Sequence, residues 1–131
     1  MKTVETLRPG LTGCATLTVE ADHTAAHVGS GCEEVLATPV MIALMEAAAV
    51  DCVEHLLEAG QTSLGVQVAV EHTAATPVGR AVTATAELTA IEGRRLTFKI
   101  SAQDETRAIG SGTHVRAVVS IDEFRRRLAG H

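Results

Sequence analysis

Apolar and polar residues alternate along this chain in a way that marks several short strands and one long helix. Residues 11–20, LTGCATLTVE, read as a strand, with 23–28 as its continuation or its partner. Residues 29–37, GSGCEEVLA, set two glycines around a serine and read as a loop. The period then changes. Thr38 suits an N-cap, Pro39 the first helical position and Gly60 the left-handed residue past a helix end, which predicts a helix over 39–59. Its opening, PVMIALMEAAAV, is apolar nearly all round, as in a buried helix, whereas DCVEHLLEAG is amphipathic.

Period two dominates the rest. Leu64, Val66, Val68 and Val70 share one face of a strand over 63–72. Val82, Ala84, Ala86 and Leu88 oppose Thr83, Thr85, Glu87 and Thr89 over 80–91, and Leu96, Phe98 and Ile100 oppose Arg95, Thr97 and Lys99 over 94–102. Residues 107–119 form a last strand interrupted by glycines. This patterning predicts an antiparallel sheet with one buried face. TPVG (76–79), EG (92–93) and DET (104–106) read as hairpin turns, and Ser120 with Glu123 has the spacing of a capping box on a terminal helix.

A strand, one long buried helix and then about four hairpin-linked strands leave one arrangement that covers the helix on all sides. The expectation is an α+β hot-dog fold, a long central helix wrapped by a curled antiparallel β-sheet, as a single domain over residues 1–131. The sheet edges should pair with a second copy, giving a homodimer or a dimer of dimers.

Composition narrows the function. Aromatics make up 2% of the chain, with no Trp or Tyr, so the core must be Val, Ala, Leu and Ile, and a base-stacking platform is not expected. A net charge of −5 argues against nucleic acid as a partner. Three cysteines without a CxxC imply no disulfide framework and a reducing cytoplasm. The first ten residues lack the apolar core of a signal peptide, and Glu46 breaks the longest apolar run, so no membrane partner is expected.

Glu46 is the most informative residue. Its helical neighbours Ile42, Ala43, Ala49 and Val50 are all apolar, where desolvation would raise a carboxylate pKa. It reads either as a general base or nucleophile facing a pocket, or as an ion pair across a dimer contact. His72 continues the apolar face of its strand, as a general acid or base or as a core histidine bonded to a carbonyl. Thr38 is both cap and candidate hydroxyl, and lies about 12 Å along the helix from Glu46. The N–H groups at that helix start could receive an oxyanion, although Pro39 removes one. Gly65 marks either close approach of a ligand or a bulge. Arg116 faces a partner or a phosphate, or is a solvated edge residue. His23, His27 and Cys32 lack a second close ligand pair, so no metal is expected. Asp51 and His55 read as a surface pair one helical turn apart.

Three segments, SLGVQVAVEHTAATPVGRAVTATAEL, EGRRLTFKISAQD and IGSGTHVRAVV, together with TPVMIALMEAA at the helix start, resemble the fluoroacetyl-CoA thioesterase family over roughly residues 36–127. That resemblance implies a hot-dog homodimer that hydrolyses a small acyl-CoA without cofactor or metal. It implies catalytic roles for Thr38, Glu46 and His72, and places Gly65 and Arg116 at the acyl end of the substrate. The segment CEEVLATPV carries no Phe, unlike the aromatic lid of the fluoroacetate-selective enzyme, so a different small acyl group is expected equally. Two other readings suit the same fold: a non-catalytic acyl-CoA sensor and an enoyl-thioester hydratase.

Overall fold

A computed structural model describes residues 6–130. Strand β1 (Thr12–Thr18) leads through a 3-10 turn (Ala21–His23) and a one-turn helix α1 (Ala25–Val28) to the long helix α2 (Thr38–Val53). Strands β2 (Gln61–His72), β3 (Ala81–Glu92), β4 (Arg95–Asp104) and β5 (Ala108–Ser120) follow, and helix α3 (Ile121–Ala129) is the last element among the described residues. Among the described residues, no helix is long and apolar enough to cross a membrane.

The five strands form one antiparallel sheet in the order β1-β3-β4-β5-β2, curled around α2 in the hot-dog arrangement. The alternation is obeyed throughout β4, and in β3 as far as Leu88, beyond which the pairing shifts register before Ala90. Val82, Ala84, Ala86, Leu88, Leu96, Phe98 and Ile100 are all buried, against Met41, Met45, Ala48 and Ala49 of α2. At Gly13 the strand lies directly on the helix: a Cβ there would stand 2.4 Å from both the Ala48 carbonyl oxygen and the Cys52 nitrogen. Only glycine permits that approach.

Several sequence expectations change. Residues 23–28 do not extend β1. Thr24 caps α1 by accepting from the His27 N–H, and Gly29 closes it at φ 81°. Thr38 is not the cap of α2: Ala37 holds that position without a side-chain bond, and Thr38 is already helical. The helix stops at Val53, six residues short of the expected end, and tightens into a 3-10 turn over Glu54–Leu56. Glu54 turns its carboxylate onto Thr62 and Ser63 of β2, which draws the helix end toward the strand. TPVG is no hairpin. It lies in the crossover from β2, at one edge, to β3 beside β1, where Thr76 and Pro77 pair with Leu36 and Val35. Ser120 caps α3 as expected, accepting from the Glu123 N–H.

β2 departs most from its pattern. A bulge between Gly65 and Gln67 makes Val66 an extra residue, 51% exposed. It reverses the facing of everything before it, so Ser63 is buried where Leu64 was expected to be. Nor is α2 covered on all sides. Pro39, Ala43, Ala47 and Val50 form an exposed apolar stripe, with Glu46 half-buried beside it.

Candidate active site

The sequence candidates assemble into two groups. At the start of α2 the Thr38 hydroxyl lies 2.8 Å from His72 Nδ1, at the end of β2. They share a cavity of about 280 Å³ with Ala25, Ser30, Val35 and Leu36. His72 Nε2 is buried without a hydrogen-bond partner. Burial of the imidazole lowers its pKa from 6.5, with the Ala74 backbone acting weakly the other way, so the ring is neutral near pH 7. The Val40 and Met41 N–H groups both bond the Ala37 carbonyl, and Pro39 has none. The helix start therefore presents the Thr38 hydroxyl to the cavity, and not the fan of backbone donors expected from sequence.

The second group is two helical turns away. Glu46 Oε2 lies 3.6 Å from Arg116 Nη1 and 4.0 Å from His114 Nε2. A Cβ at position 65 would stand 2.7 Å from the same carboxylate oxygen, so Gly65 leaves the space that Glu46 occupies. The carboxylate is 39% exposed and paired with a cation, not desolvated and alone as its apolar neighbours suggested.

Arg116 is 6% exposed and faces inward, which excludes a solvated edge residue. Its Nε donates to Ser63 Oγ at 2.8 Å, Nη2 to the Ser63 carbonyl at 2.9 Å, and Nη1 to His114 Nε2 at 3.2 Å. Burial lowers its pKa, while the charges of Glu46 and Glu54 act to raise it. His114 is fully buried, stacked on Phe98 with centroids 6.0 Å apart. Its Nδ1 lies 2.8 Å from the Gln67 carbonyl. A carbonyl can only accept, so Nδ1 carries the proton and Nε2 is free to accept from Arg116.

The weaker candidates have local duties. His23 Nδ1 accepts the Glu20 N–H. Asp51 takes the Cys14 N–H of β1 at 2.9 Å, and so ties α2 to the sheet.

A family model described as "Fluoroacetyl-CoA-specific thioesterase" matches residues 19–122. The chain belongs to the fluoroacetyl-CoA-specific thioesterase family. A fluoroacetyl-CoA thioesterase from Streptantibioticus cattleyicolor is 50% identical over 95 residues, 72% of this chain and 68% of that one. A threonine-to-serine mutant of the fluoroacetyl-CoA thioesterase, solved in complex with acetyl-CoA, superposes with a TM-score of 0.89 at 40% identity, covering 95% of this chain and 98% of that one. A hot-dog-like protein from Thermanaerovibrio acidaminovorans superposes at 0.86 with 27% identity, covering 93% and 90%.

In this member of the thioesterase family, sequence reading passed over Ser63, Glu54 and His114 as site residues. His114 is in phase with Arg116 on β5, a signal that was available. Ser63 was hidden because the bulge puts it on the face opposite to its apparent one.

Proposed function

We propose that this chain is a homodimeric thioesterase that hydrolyses short acyl-CoA esters to the free acid and coenzyme A. One observation carries the dimeric form: the two groups of site residues are complementary but separated. Gly65 and His72 lie seven positions apart on β2, about 23 Å along the strand. β2 is an edge strand, so its outer backbone groups call for a partner. Antiparallel pairing of β2 with a second β2, centred between Val68 and Ala69, sets Gly65 opposite His72 of the second copy. Glu46 and Arg116 of one chain then face Thr38 and His72 of the other. The same pairing covers the apolar stripe on α2. The described residues make up a single domain, and the three free cysteines suit a reducing cytoplasm.

In this site the neutral His72 donates from Nδ1 to Thr38 Oγ1, and the Thr38 hydroxyl hydrogen bonds the thioester carbonyl oxygen. Glu46 accepts a proton from the attacking water. The water oxygen adds to the carbonyl carbon, the C–S bond breaks, and the electron pair leaves with sulfur as a thiolate. A thiol pKa of about 8.5 makes that departure easy. Arg116 and Gly65 hold the acyl end. The relatives named for fluoroacetyl-CoA or solved with acetyl-CoA support a small acyl chain, and the absence of Phe from CEEVLATPV supports an acyl group other than fluoroacetyl at least as well as fluoroacetyl itself.

The test is thiol release from acetyl-, fluoroacetyl- and longer acyl-CoA esters by the wild type, Glu46→Gln and His72→Ala. Release that both substitutions remove is expected. Release that survives Glu46→Gln refutes the mechanism, and a stable monomer in light scattering at micromolar concentration refutes the dimer.

A further inference from the structure

We propose that Ser63 is a positioning residue which, against the pull of Glu54, holds Arg116 where its Nη1 reaches Glu46; this rests on the thioesterase reading above. Two carboxylates flank one buried guanidinium. Glu46 faces Nη1 directly at 3.6 Å, while Glu54 reaches the cation only through Ser63. The hydrogen-bond directions are forced. Arg116 Nε can only donate, so Ser63 Oγ accepts from it at 2.8 Å. A carboxylate can only accept, so the single Ser63 hydroxyl hydrogen goes to Glu54 Oε1, also at 2.8 Å. Ser63 is 4% exposed, and water does not compete for either bond. Glu54 is itself anchored by the Thr62 hydroxyl and the Ser63 N–H. On the far side, His114 is locked by the Gln67 carbonyl and offers Nε2 to Nη1. The hydroxyl therefore does two things. It links the two charges, and it keeps them apart.

Without that hydroxyl, Nε loses its acceptor inside the protein and Glu54 loses a donor. The cheapest repair is direct contact between guanidinium and Glu54, which draws Nη1 away from Glu46 and from the acyl end. A displacement of that kind damages turnover far more than ground-state binding of a coenzyme A ester held mainly elsewhere.

The experiment compares wild type, Ser63→Ala, Glu54→Gln and the double variant in acyl-CoA hydrolysis, below the melting temperature of the least stable. Ser63→Ala is expected to lose about tenfold or more in kcat, with KM changed less than about threefold. Adding Glu54→Gln removes the competing charge, so the double variant recovers activity relative to Ser63→Ala. A merely structural role predicts the reverse, a further loss on the second substitution. Wild-type kcat in Ser63→Ala, or a double variant weaker than Ser63→Ala, overturns the proposal. A wild type that releases no thiol fails the hydrolase reading instead. In that event the Arg116 Nε–H resonance in a nitrogen-15 spectrum still decides the holding role. It is expected to exchange slowly in wild type and fast in Ser63→Ala, and equal exchange in both overturns it.

Discussion

Gly65→Ala separates a structural glycine from a functional one. Gly65 does not hold a positive φ, so alanine fits the backbone and gains several tenths of a kcal/mol from a less flexible unfolded chain, roughly 0.4–1 kcal/mol. The new methyl would stand 2.7 Å from Glu46 Oε2, 3.2 Å from His114 Cε1 and 3.6 Å from Arg116 Nη1. His114 is locked on both ring nitrogens, so the carboxylate is what moves, by something under an ångström. Lengthening the ion pair from 3.6 Å by that much weakens it by at most about 1 kcal/mol at an effective dielectric constant near 20, and by less at its exposure. These two effects nearly cancel in stability. They do not cancel in catalysis, where misplacing a reacting group by about an ångström costs on the order of a hundredfold. The assay is acyl-CoA thiol release alongside a thermal melt. An unchanged melting temperature with a kcat loss of about ten- to a hundredfold is expected. Full activity, or a collapse of the melt, would refute the assignment of that space to Glu46.

Thr38→Ser keeps the hydroxyl on His72 and should retain activity within about tenfold, while Thr38→Val should lose about a hundredfold or more without loss of fold; equal rates would remove Thr38 from the site. Burial sets the folded pKa of His72 below its ordinary 6.5. Between the two values the unfolded chain holds a proton that the folded one lacks, so stability is lost as pH falls below about 6.5. Melting temperatures from pH 7.5 to 5 should show that decline, and His72→Gln should flatten it. Asp104 is held at about 2, first by the Thr106 N–H and then by the hydroxyls of Thr106 and Thr76 and the Arg107 N–H, outweighing its burial. Its stabilisation is present above an unfolded value near 3.8 and is lost as pH falls from there toward 2. Asp104→Ala should lower the neutral-pH melting temperature and make the acid transition shallower.

The parts legible in the sequence were those governed by local period and caps. β4, and β3 as far as Leu88, bury one whole face, so there each side chain obeys the two-residue rule, until the pairing shifts register before Ala90. Thr-Pro fixed the start of α2 to within a residue. β2 was misread because a bulge carries no residue signature of its own: Val66 continues the apolar alternation while facing out. The β2-to-β3 crossover was misread because its Pro and Gly are the residues a hairpin also uses. In the candidate site, Glu46, Gly65, His72 and Arg116 stood out as residues at odds with their neighbours, and Thr38 as a capping residue with a candidate hydroxyl. Ser63 and Glu54 did not, because a serine in a strand and a glutamate at a helix end are ordinary until the fold brings Arg116 between them.

The separation of Thr38 and His72 from Glu46 and Arg116 also bears on inheritance. In the proposed homodimer each of the two sites would draw one half from each copy. A chain lacking Glu46 and a chain lacking His72, each inactive by itself, assemble into mixed dimers in which one site collects both defects and the other collects none. Random mixing of the two then restores roughly a quarter of the normal sites. Two broken alleles held together in one cell would complement each other, whereas two lesions on the same side of the divide, such as Thr38 and His72, would not.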